Sequence, residues 1–163
     1  MAIFRKITKE QYVGEISHIN ERLNDMFDSP IIDNWLLGEL HKRLKILTKE
    51  YKDEFGVPKD WLLNACAMIK MFSGDIQGAL IDSQSSLNES SGRANYLAHK
   101  IRGFIFLHMN NKELASKEFK SALKDIKELD KITRLLQSQG FIEGSDEDNY
   151  ETEQLKELLE QTR

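Results

Sequence analysis

The sequence predicts an all-α protein of about seven helices folded as antiparallel hairpins. Three observations carry this reading. Apolar residues recur at three- and four-residue spacing along most of the chain, which gathers them on one side of each helix. Only two prolines and nine glycines interrupt 163 residues, so long stretches are free of helix breakers. The chain also resembles itself when slid by 36 residues, as stacked helical units do.

Met1 to Ile7 is short and mixed, with Ile3, Phe4 and Ile7 as anchors onto the body. Thr8 followed by Gln11 has the form of a capping box, and the helix it opens carries Tyr12, Val13, Ile16, Ile19, Leu23, Met26 and Phe27. Ser29-Pro30 reads as the end of that helix and the cap and first turn of the next. The second helix buries Ile32, Trp35, Leu36, Leu40, Leu44, Leu47, Tyr51 and Phe55; Trp35 and Leu44 also offer a face for pairing two copies. Gly56-Val57-Pro58 is a stop followed by a start.

The third helix, Lys59 to Phe72, is apolar nearly all round, which places it at the centre. Ser73-Gly74-Asp75 turns the chain into a fourth helix from Ile76 to about Leu87, thin in apolar groups and rich in serine. From Ser91 to Leu136 two patterns flank the turn His108 to Asn111. The first carries Tyr96, Leu97, Ile101, Phe104 and Ile105, the second Leu114, Ala115, Phe119, Ala122, Leu123, Ile126 and Leu129. An acidic loop at 137–149 precedes a last helix from Tyr150 to Gln161 with Leu155, Leu158 and Leu159 as its stripe. One domain is expected over 1–163: a hairpin at 8–56, two hairpins at 59–136, the loop, and the C-terminal helix at 150–163.

Composition narrows the function classes. Apolar content of 40% and charged content of 31% belong to an ordinary globular protein. A net charge of −4 argues against a general nucleic-acid binder. The single cysteine, Cys66, leaves no internal disulfide and fits a reducing, cytoplasmic setting. No stretch is apolar enough for a signal peptide or a membrane span.

The 36-residue shift sets Ala67 on Gly103, Phe72 on His108, Ala79 on Ala115 and Leu87 on Leu123. Small residues at these places allow two helices to approach closely. On them the sequence resembles the tetratricopeptide repeat family. Gly103, Phe106, Ala115, Phe119 and Ala122 match the family spacing in one unit; Ala67, Gly74, Asp75 and Ala79 match it in the other. Lys70 and Ser83 depart from it, standing where large apolar groups are expected. The resemblance spans Lys59 to Lys131 and implies a right-handed superhelix whose first helices line a groove for a peptide or an amphipathic helix. The groove positions would be Trp61, Asn64, Met68, Met71, Leu97, Lys100, Phe104 and His108. Coverage of these residues by the last helix, or by the first hairpin, is the competing arrangement. The family's carboxylate-clamping variant is not reproduced, since Met68 and Phe104 stand where it needs asparagine.

Catalytic patterns are missing. His18, His41, His99 and His108 form no metal-binding pair, Cys66 lies in the most apolar helix, and no Gly-rich phosphate loop occurs. The expected function is therefore non-enzymatic binding of another protein, as adaptor, dedicated chaperone or inhibitor, without cofactor or metal. The rival is association with nucleic acid through a basic stripe, Lys117, Lys120, Lys124, Lys127, Lys131 and Arg134. Its alternating three- and four-residue spacing aligns six cations along one helix face.

Overall fold

The computed structural model describes residues 7–141 and 150–163, so the anchors Ile3 and Phe4 and most of the acidic loop lie outside the described residues. Among the described residues all regular structure is helical: α1 (Lys9–Asp25), α2 (Asn34–Glu50), α3 (Lys59–Phe72), α4 (Ile76–Ser90), α5 (Tyr96–His108), α6 (Lys112–Ser138) and α7 (Tyr150–Gln161). Short 3₁₀ turns at Met26–Asp28 and Asp53–Phe55 follow α1 and α2. Where the sequence predicts one domain, these residues group into two compact units, Met1–Glu89 and Ser90–Arg163. No helix among them is long and apolar enough to cross a membrane.

In the first unit local chemistry sets most helix ends. The Thr8 hydroxyl accepts from Gln11 N at 3.2 Å and the Gln11 side chain accepts from Thr8 N at 3.0 Å, closing the capping box. The start of α2 differs from the expectation. The Ser29 hydroxyl donates to the Ile31 carbonyl at 2.6 Å and holds a turn, so Asp33, accepting from Leu36 N at 2.9 Å, is the cap. Starting at Asn34, α2 turns Leu37, Leu40, Leu44 and Leu47 inward and leaves Trp35 75% exposed. Trp35 and Leu44 therefore do not share an outward face: Leu44 belongs to the core. Gly56 stops the segment at φ +64°, a left-handed conformation that glycine adopts without a Cβ clash.

The apolar third helix is central, as its all-round pattern requires, lying against α1 and α2. It also meets α4 through polar groups. The Ser86 hydroxyl donates to Asn64 Oδ1 at 2.7 Å, and Lys70 pairs with Asp82 at 2.7 Å. Buried Ser83, Ser86 and Ser90 explain how α4 packs with few apolar residues: small, hydrogen-bonded side chains occupy its inner face.

In the second unit α5 and α6 form the expected hairpin. Asn110 takes φ +58° in the turn and Asn111 caps α6 by accepting from Leu114 N at 3.1 Å. Gly103 faces the Phe119 ring so closely that a Cβ there would collide with it. Helix α7 lies against α6 and places Leu155 and Leu158 in a core with Ala115, Phe119, Ala122 and Ile126.

Candidate protein-binding surface on α6

Helix α6 is the spine of the second unit because it outruns both neighbours. At 1.5 Å per residue its 27 residues span about 40 Å, against about 20 Å for the 13 of α5 and about 18 Å for the 12 of α7. The start of α5 is held level with Asp125, whose carboxylate accepts from Asn95 N at 2.7 Å. Helix α7 runs antiparallel to α6: Lys112 donates to the Arg163 carbonyl at 3.4 Å at one end, and Glu151 meets Lys100 at 3.0 Å towards the other. Both neighbours thus flank the half of α6 up to Ile126.

Beyond Ile126, residues Lys127 to Leu129 and Lys131 to Leu135 are all exposed. Leu129, Ile132 and Leu135 are 38%, 50% and 56% accessible, and Phe141 just past the helix is 72% accessible. Large apolar groups at helical spacing, left in water on a helix that continues past its neighbours, are the strongest binding feature of the described residues. Lys127, Lys131 and Arg134 border them. All six cations of the predicted stripe are exposed, and none makes an ion pair among the described residues.

The groove positions fare differently. In the first unit Asn64 and Met68 are buried, Asn64 bonded to Ser86 and Met68 fully inaccessible. Trp61 is 37% accessible and Met71 half-buried. In the second unit Lys100 is 0% accessible and Phe104 meets Phe119 edge-on, ring centres 5.8 Å apart. Leu97 is half-buried and His108 exposed. Asn64, Met68 and Lys100 are thus interior residues and do not line an open surface. For the second unit the reason is visible: α7 carries Glu151 to Lys100 and its leucines into the cluster on which Tyr96 and Phe104 pack.

The polar contacts between α5 and α6 act as staples. His99 Nδ1 lies 2.7 Å from Glu118 and its Nε2 3.9 Å from Asp125, while Arg102 Nε donates to Glu118 at 3.0 Å. Burial alone would raise the Glu118 pKa, but the bonds and charges of His99 and Arg102 outweigh it and hold the carboxyl below its usual range. Burial, with Asp82 nearby, pushes the Cys66 thiol up to about 11, which keeps it protonated and poorly nucleophilic at neutral pH. Among the described residues no three His, Cys, Asp or Glu side chains converge to hold a metal.

The open half of α6 escaped the sequence reading, which assigned Leu129 to a buried stripe. The available signal was length: α5 is about half as long as α6, so it cannot cover it. No protein-family model, curated protein or solved structure matches this chain.

Proposed function

We propose that the chain is a non-enzymatic protein-interaction module that docks an amphipathic segment of a partner on the distal half of α6. One observation carries the proposal: Leu129, Ile132, Leu135 and Phe141 stand in water beside Lys127, Lys131 and Arg134. Burying such side chains on association is favourable at roughly 25 cal/mol per Å² of apolar surface, and the bordering cations select a partner with acidic flanks. Adaptor, dedicated chaperone and inhibitor are the roles such a surface serves. A cytoplasmic setting fits the single unpaired Cys66. A tetratricopeptide-like architecture is supported by full burial of Ala67, Ala79 and Ala115 at the 36-residue register, and by Gly103 against Phe119.

The test is affinity capture from native extract with the wild-type chain and with Ile132→Asp/Leu135→Asp, washed at low and high salt. A protein held at high salt by the wild type and lost by the variant is the expected result. Equal retention by both would remove this face from consideration. The second reading, nucleic-acid association, is favoured by the six exposed cations. It requires a fluorescent oligonucleotide to bind with steep salt dependence and to be released by Lys120→Glu/Lys124→Glu/Lys127→Glu.

A further inference from the structure

The geometry points to α7 as a resident occupant of a helix-binding cradle, and to a partner that is an acidic amphipathic helix able to take its place. This rests on the reading of α6 as a docking platform and names the chemistry of what docks. The cradle is the proximal half of α6, Ala115, Phe119, Ala122 and Ile126, with fully buried Lys100 at one end. Its occupant presents a simple pattern: an acid at Glu151, then leucines four and seven residues on at Leu155 and Leu158. Glu151 answers Lys100 at 3.0 Å and the leucines fill the apolar floor. The rest of α7 is predominantly acidic, with Glu153, Glu157 and Glu160 against Lys156.

Two features make α7 a replaceable occupant. Its footing is small, with only Thr152, Leu155 and Leu158 buried on a 12-residue helix. Its fit is also incomplete: Thr152 is buried, yet its hydroxyl has no hydrogen-bond partner among the described residues. A buried hydroxyl without a partner weakens whatever helix carries it, so a partner with an apolar residue there binds better. That gain works against the intramolecular advantage of α7, which is covalently attached and always near.

The probe is a fluorescein-labelled peptide of residues 150–163, used with the full chain. In the full-length variant Leu155→Asp/Leu158→Asp the cradle is vacated. This variant should bind the peptide at least about tenfold more tightly than wild type does. A peptide with Thr152→Val should bind up to about tenfold better than the native one. A peptide with both leucines changed to Asp should not bind. These results should persist when Ile132→Asp/Leu135→Asp is added, since the short peptide does not reach that face. Loss of binding only in that background would place the peptide on distal α6 and overturn the cradle, while leaving the distal surface standing. A vacated chain that melts cooperatively yet binds nothing would overturn it as well.

Hydrogen exchange on the wild type removes dependence on the vacated variant. Amides of α7 should exchange faster than those of α5, and excess Thr152→Val peptide should speed α7 further. Exchange of α7 and α5 at one common rate, unmoved by peptide, would show that α7 is integral to the fold.

Discussion

The phenol of Tyr12 sits in the interior against Tyr51 and Phe55, and its hydroxyl has no hydrogen-bond partner among the described residues. Burial, with Tyr51 and Cys66 nearby, pushes its pKa to about 12. Removing an unpaired buried hydroxyl without changing shape relieves a desolvation cost, so Tyr12→Phe should be neutral or stabilising by up to about 1 kcal/mol, read from the urea midpoint. Gly103→Val should do the opposite, costing about 1–3 kcal/mol as the Phe119 ring is forced aside. Phe104→Asp tests the groove expectation. Since Phe104 packs on Phe119, this change should lower the helix melting temperature rather than leave the fold intact. Small–large pairing at Gly103 was readable from the 36-residue register. Burial of Lys100 was not, because a lysine on a helix is solvated by default and only the arrival of Glu151 across the fold reverses that.

At the scale of the element, α6 combines two environments in one helix. Up to Ile126 it is a packed core helix; beyond it the helix continues to Ser138 with Leu129, Ile132 and Leu135 exposed. Ile132→Asp/Leu135→Asp should therefore change stability by no more than about 0.5 kcal/mol, whereas Leu155→Ala in the α7 footing should cost about 2–5 kcal/mol. Thermal melts of the two variants check the contrast. A large loss from the distal pair would mean that those side chains are covered and offer no binding face. The starts of α1 and α3 were legible, since the Thr8–Gln11 box and the Gly56-Val57-Pro58 break act over a few residues, whereas α1 gives way to a 3₁₀ turn at Met26, short of the expected stop at Ser29-Pro30. The start of α2 was misread because Ser29 and Asp33 are both competent caps and the Ser29 hydroxyl is spent on the Ile31 carbonyl.

Across the whole molecule, paired carboxylates tie helices together in each unit, and they set how stability varies with pH. Glu15, held down by its bond to Arg43, and Glu118, held down against burial by His99 and Arg102, both have folded pKa values below the ordinary 4.5. The unfolded chain binds these protons first as pH falls, so their stabilisation is present above that range and lost through it. Urea midpoints should fall between pH 6 and pH 3. For Glu118→Gln the difference from wild type should shrink towards the acid end, because the wild-type side chain is then neutral too. A constant difference across that range would assign Glu118 a purely steric role.

Read alone, the sequence is enough to place helices along the described residues, to find most of their ends and to pair α5 with α6. Periodicity, caps and turn residues act within one or two helical turns and need no partner element to be read. Which apolar faces are covered depends on neighbours that arrive only when the chain folds. Met68 and Lys100 became interior, and Leu129, Ile132 and Leu135 stayed in water. A helix pattern states that a face is apolar, but not which neighbour reaches it or how far that neighbour extends. Here the short reach of α5 and α7 along α6 leaves the surface on which the proposed function rests.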